Sequence, residues 1–370
     1  MSEPLIPAYG SDSLADLLPS IGAQMGMRGT NRLGLPQAQR YLVLLIDGLG
    51  AAQLAAHAEL APFLAGLPQQ VISSGVPSTT ATSITSLGTG LVPGAHGIAG
   101  YSFWHEPTKA VLNALRWSQD VSGLDVQPQL TYFERLADAG ITVSAIAPAA
   151  FAKTGLTTVA LRGASFWPVD DESDLDRRAE LAASAATAGE RSVTYCYERR
   201  LDHTGHGAGV NSDAWRASLA AVDRLASTLR ARVPGDVRLV ITADHGMVDV
   251  PADTRLIVED EPELLRGVDA LAGEGRLRHL KVAASAVDEV AERWRQRLGE
   301  RAWVRTRVEA EAEDWFGLMS PRLSDRFGDV IVAMADDSAI LTRRHAGELG
   351  LIGMHGSLTP AEVQIPLLMA

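Results

Sequence analysis

The chain of 370 residues holds a single cysteine, Cys196. An intrachain disulfide and a thiolate cluster are thereby excluded, so a metal site would have to draw on histidine, aspartate and glutamate. No apolar run is long enough to span a bilayer, and the first ten residues, Met-Ser-Glu-Pro-Leu-Ile-Pro-Ala-Tyr-Gly, lack a basic start followed by an apolar stretch. The expectation is a cytoplasmic protein with no membrane partner. Dense basic runs are missing too, and a formal charge of -12 repels a phosphate backbone, so a nucleic-acid polymer is not an expected partner. Tandem repeats and low-complexity linkers are also lacking, which favours one domain over an array.

What the chain has is 46% hydrophobic residues, enough for a sizeable core. It also has a stretch at 75–100 that crowds hydroxyls between Pro77 and the pair Gly88 and Gly90. Pro77 favours an extended Val76, Ser78 or Thr79 can cap a helix, and Ala81, Ile84 and Leu87 recur on one apolar face until the glycines stop it. A hydroxyl in that first turn would meet free N–H groups and the positive end of the helix dipole, which favour anions such as phosphate. The pattern alone leaves Ser78, Thr79, Thr80 and Thr82 equal.

Elsewhere, strand and helix alternate. Apolar runs at 41–46, 70–73, 141–147, 192–197 and 236–242 read as strands, and 14–21, 53–64, 130–139 and 213–232 as helices. This predicts an α/β fold: a doubly wound, mostly parallel sheet sandwiched by helices. Residues 1–40 read as an N-terminal arm, 41–250 with 327–370 as the core, and 251–326 as a small α/β insertion. The segments 329–334 and 339–342 read as a hairpin around Asp336-Asp337.

Polar residues gather just past the ends of several apolar runs, where open α/β sheets bind ligands. They are Asp47; Asp202 and His206; Asp244 and His245; and His355. Three carboxylates and three imidazoles suit two divalent cations of the zinc kind. Asp202 and His206 share one side of a helical turn, and Gly246 makes plausible the turn that Asp244 and His245 need to reach one site. His96 reads as a turn or core histidine, and His203 as a neighbour of the metals at most. Tyr101, Phe103 and Trp104 form one candidate wall for a base or aryl group, and Phe151, Phe166 and Trp167 a second.

Taken together, Leu45-Ile46-Asp47-Gly48, Pro77-Ser78-Thr79-Thr80, Thr89-Gly90-Leu91-Val92-Pro93, His96-Gly97-Ile98, Asp202-x-x-Gly205-His206, Thr242-Ala243-Asp244-His245-Gly246-Met247 and Gly353-Met354-His355-Gly356 resemble the alkaline phosphatase superfamily, nearest its nucleotide pyrophosphatase/phosphodiesterase branch. The resemblance implies an alkaline phosphatase-like fold with Thr80 as nucleophile. It implies one metal on Asp202, His206 and His355, and the other on Asp47, Asp244 and His245 with the Thr80 oxygen. The implied reaction cleaves phosphodiester or pyrophosphate bonds of a small nucleotide-like phosphoester through a phosphothreonine. The alternatives are a phosphomonoesterase or phosphonate hydrolase on the same metals, and a catalytically silent metal-binding scaffold. Where the family commonly has Pro-Asn-His, this chain has Thr82-Ser83-Ile84, which makes Ser83 the candidate donor to a phosphoryl oxygen. No arginine is near Thr80 in sequence to grip a dianionic monoester, although Arg116, Arg162 or Arg199 could arrive through space.

Overall fold

In the computed structural model, which describes residues 3–117 and 120–370, the apolar run at 41–46 becomes the strand Arg40–Ile46, buried along almost its whole length. It sits at the middle of a seven-stranded sheet ordered Gln69–Ser73, Gln364–Met369, Val237–Ala243, Arg40–Ile46, Ser192–Glu198, Thr142–Pro148 and Ser165–Val169. Arg40–Ile46 pairs in parallel with both neighbours, and Thr142–Pro148 does likewise. Gln364–Met369 alone runs antiparallel to the strands beside it. The sheet is therefore mixed and mostly parallel, as expected. Helices cover it, which explains why its inner strands read as continuous apolar runs rather than alternating ones.

The helices form where periodicity and caps agree. Tyr132–Asp138 begins at Thr131, whose side chain accepts from the Glu134 amide while Glu134 reaches back. Asp213–Arg232 begins at Ser212 and buries Trp215, Leu219, Val222, Leu225 and Leu229. The single helix expected over 53–64 is instead two, Ala51–Ala56 and Pro62–Ala65. Pro62 has no amide hydrogen to continue the ladder and instead opens the second piece.

The region after residue 250 carries a second sheet with all pairings antiparallel, ordered Val268–Glu274, Leu277–Val282, Val330–Met334 and Ala302–Thr306. The helix Val287–Leu298 lays Val290, Ala291, Trp294 and Leu298 against it, and these side chains join a hydrophobic cluster separate from the main one. The hairpin expected from 329 to 342 does not form. Val330–Met334 pairs inside this accessory sheet, whereas Ala339–Leu341 pairs in parallel with Arg255–Ile257. Both segments are fully buried, so each found its own sheet rather than the other. The accessory sheet is tied to the core by a buried ion pair: Arg276 Nη2 lies 2.8 Å from Glu362 Oε2, both side chains fully inaccessible.

Candidate metal centre

Register builds the site. Ile46 stands opposite both Glu198 and Ala243 in the parallel ladder, so the residues that follow, Asp47, Arg199 and Asp244, emerge side by side at the carboxyl edge of the sheet. The helix Arg200–Ala208 starts there and presents Asp202 and His206 one turn apart. His355 arrives from the opposite direction, just after the short strand Gly353–Met354, which pairs with Val248–Asp249 beyond Asp244 and His245.

Asp47, Asp244 and His245 each offer a ligand atom within 4.8 Å of the others, and so do Asp202, His245 and His355. His245 Nε2 is 3.3 Å from Asp47 Oδ1 and 3.7 Å from Asp244 Oδ2. Asp202 Oδ1 is 3.8 Å from His355 Nε2, and its Oδ2 is 3.4 Å from His206 Nε2. The first trio is the set implied by the resemblance. The second differs from that implication, because the stacked rings of His245 and His355, 3.6 Å between centroids, put His245 in both groups, while His206 joins through Asp202.

The donor set fits divalent cations by two independent observations. Asp47 Oδ1, Asp202 Oδ1 and Asp244 Oδ2 are buried carboxylate oxygens without a hydrogen-bond partner, a costly state unless a positive group pairs them. Each histidine places Nδ1 against a backbone carbonyl: His206 on Gly353 at 2.7 Å, His245 on Gly246 at 2.9 Å and His355 on Ser78 at 2.9 Å. A carbonyl only accepts, so Nδ1 carries the proton and the Nε2 lone pair is left for a ligand.

Titration behaviour agrees. Burial raises Asp202 and Asp244 well above the carboxylate range, and the Asp47 charge adds to it. Burial works against Asp47 as well, but His245 and the Tyr197 hydroxyl, which donates to Asp47 Oδ2, hold it below its ordinary value. Burial also lowers His206 and His355, whereas at His245 the carboxylates of Asp244, Asp47 and Asp202 overcome it and raise the ring to about 10. Protons thus balance the cluster, and bound cations would displace them.

Thr80 is the first residue of the helix Thr80–Thr89, after an extended Thr79. Its Oγ1 is 3.3 Å from His245 Nε2, so among the four hydroxyls left equal by the pattern it is the one against the cluster. Ser78 donates instead to the Ser357 carbonyl, and Thr82 to the Ile98 carbonyl. Gly90, at φ +67°, ends the helix; Gly88 lies within it. Asp47, Thr80, Asp202, His206 and His355 line one cavity of about 760 Å³ with Tyr101, Phe151, Arg116, Arg199 and His203.

Several expected contacts lie elsewhere. Ser83 is fully buried with an unpartnered hydroxyl and is not among the cavity lining, because it stands almost one turn into the helix, facing the core. Phe103 is fully buried beneath the Arg326 guanidinium, 5.4 Å from its ring centre, and Phe166 and Trp167 lie on the edge strand Ser165–Val169, also outside the cavity lining. His96 is a core residue: its Nδ1 accepts from the Ile98 amide at 3.1 Å and its Nε2 meets Ser86 at 2.9 Å. Arg162 donates to the carbonyls of Gln127 and Thr158, and Arg199 is held by Glu172 over Phe151. Sequence reasoning missed Tyr197 and Glu274, among other residues of the cavity lining. Tyr197 carried a signal, since alternation along Ser192–Glu198 puts it on one face with Tyr195; Glu274, from the accessory sheet, carried none.

The family model described as type I phosphodiesterase / nucleotide pyrophosphatase matches residues 41–358. No curated protein matches the chain. Among solved structures, murine ectonucleotide pyrophosphatase / phosphodiesterase 5 is similar with a TM-score of 0.68 at 18% identity, over 89% of this chain and 87% of that one. An inactive form of that murine protein is in complex with AMP. Phosphonoacetate hydrolase from Sinorhizobium meliloti 1021 gives a TM-score of 0.68 at 19% identity, over 90% of each chain. At such identities the likeness establishes an alkaline phosphatase-like fold.

Proposed function

We propose, from the premise that this chain belongs to the type I phosphodiesterase / nucleotide pyrophosphatase family, that it hydrolyses phosphodiester or pyrophosphate bonds in small nucleotide-like substrates, with Thr80 as nucleophile. The observation that carries the reading is the meeting of a helix-terminal hydroxyl with three unpartnered buried carboxylate oxygens and three oriented imidazoles. Asp47, Asp244 and His245 would hold one divalent cation beside Thr80, and Asp202, His206 and His355 the other, in keeping with zinc's preference for nitrogen and carboxylate donors. When bound, the cations supply the positive charge that makes a threonine hydroxyl competent at neutral pH and polarises the phosphoryl group.

The chain's own residues account for the rest. Thr80 Oγ1 attacks phosphorus and loses its proton to solvent as the bond to the leaving oxygen breaks. Water then attacks the phosphothreonine, the Oγ1–P bond breaks, and Thr80 regains a proton. Unbonded amides at the first turn of Thr80–Thr89 offer donors to the non-bridging oxygens. The walls at Phe151 and Tyr101 are suited to the organic part of the substrate, which agrees with AMP in the murine relative.

A second reading, a phosphonate hydrolase or phosphomonoesterase, is favoured by one observation: the phosphonoacetate hydrolase matches the fold as well as the murine protein does. Turnover of bis-p-nitrophenyl phosphate, p-nitrophenyl phosphate and a p-nitrophenyl nucleotide by the metal-loaded protein separates the two. The diester and the nucleotide are expected to lead; equal or faster turnover of the monoester overturns the first reading.

A further inference from the structure

At the turn Gly275-Arg276 the accessory sheet delivers one acidic side chain to the cavity. Glu274, the last residue of Val268–Glu274, is buried and lines the same space as Thr79, Thr80 and His355. Its Oε2 accepts from the Tyr101 amide at 3.3 Å, and its Oε1 is buried with no partner. Two loops are shaped around this carboxyl. Gly100 and Gly356 have φ of +114° and +132°, and a Cβ on either would come within 3.2 Å of Oε1. These glycines border the Tyr101 loop on one side and His355 on the other, with the nucleophile turn between them. One oxygen of a buried acid is thus left unpartnered next to Thr79, the residue before Thr80.

We propose that Glu274 is a specificity-determining residue of the phosphoryl site, its carboxyl facing a non-bridging oxygen and biasing the enzyme towards monoanionic phosphodiesters over dianionic monoesters. This rests on the phosphohydrolase reading above and adds the group that would enforce its substrate class. As a carboxylate, Glu274 repels a second phosphate charge more than a first, and because its side chain is buried such repulsion is screened less than at the surface.

The groups that face Glu274 do not cancel its charge. Arg278, on the adjacent strand, commits its guanidinium to Glu348 and the Ile340 carbonyl. His279, on the same strand, is kept neutral by burial, its ring lowered to about 4. His245 and His355, across the cavity, belong to the metal cluster, and Thr79 and the Tyr101 amide contribute hydrogen bonds. Burial raises the Glu274 carboxyl to about 7 against the pull of those bonds, so it is largely ionised at pH 8.5.

The test compares the native metal-loaded protein with Glu274→Gln, which keeps shape and hydrogen bonding but removes the charge. The readouts at pH 8.5 are kcat/KM for bis-p-nitrophenyl phosphate and p-nitrophenyl phosphate, and inhibition by inorganic phosphate and by dimethyl phosphate. In the variant the monoester is expected to gain at least about tenfold relative to the diester, and inorganic phosphate to gain similarly over dimethyl phosphate. Glu274→Ser carries the same expectation should the amide disturb packing, and Glu274→Asp should retain the native bias. A diester-to-monoester ratio within twofold of native in both neutral variants overturns the proposal, including the case where a structural role lowers both activities together. If Thr80→Ala leaves turnover intact, the proposed function falls. If it abolishes turnover while the ratio stays fixed, only the role of Glu274 falls.

Discussion

At the carboxyl edge of the central sheet, Asp47, Asp202 and Asp244 each keep a buried oxygen unpaired, whereas in the accessory sheet Arg276 and Arg278 commit their donors to Glu362, Glu348 and backbone carbonyls. Both regions bury charge, and burial makes unpaired charge expensive. The paired set needs nothing further and fastens one sheet to the other. The unpaired set is complete only with something positive bound. Glu274 breaks the pattern of its own sheet, and it does so where that sheet meets the cavity.

The contrast can be broken most severely at the proposed nucleophile. Thr80→Ala is expected to lower phosphoester turnover by about 10⁴-fold or more while bound metal and melting temperature stay close to native. Steady-state rates with metal analysis check this, and retained activity would remove Thr80 from the chemistry. On the paired side, Arg276→Met strands the Glu362 carboxylate, which also accepts from the Ser357 amide at 3.0 Å. The expected loss is about 3–5 kcal/mol by urea denaturation. Adding Glu362→Leu should restore a large part of it; no recovery would mean that packing, not charge, made the loss.

Histidines sharpen the same comparison. Those of the metal centre have partners waiting, but His96 and His279 are buried as neutral rings, lowered by burial to about 3 and about 4. The unfolded chain binds their protons first, since its histidines titrate near 6.5, so stability is fully present above that pH and is lost as pH falls towards 4. The slope is at most about 1.4 kcal/mol per pH unit for each ring. Urea midpoints at pH 7 and pH 5 test it, and equal midpoints would count against neutral burial. The smallest effect is expected at Ser83. Its hydroxyl has no partner to lose, so Ser83→Ala should change kcat/KM less than about twofold and leave stability near native.

Much of this was legible residue by residue. The run at 41–46 announced a buried parallel strand because both of its faces are covered, and the polar groups after that and later strands announced a site because parallel sheets open their carboxyl ends to ligands. The hairpin over 329–342 misled because two short apolar segments around Asp336-Asp337 look alike whether they pair with each other or with separate sheets. Ser83 misled because a motif position says which residue stands there, not which way the helix turns it.

Chemistry and order were therefore properties of the chain itself: one cysteine, six oxygen and nitrogen ligand candidates and a hydroxyl-rich helix start. Local sequence carries them because hydrophobic period, caps and donor type are local. Only the tertiary structure put the Thr80 hydroxyl against His245, shared His245 between two ligand groups, and brought Glu274 into the cavity that Thr80 lines. Those outcomes depend on register and on contacts between residues more than a hundred positions apart, and no local pattern encodes such distances.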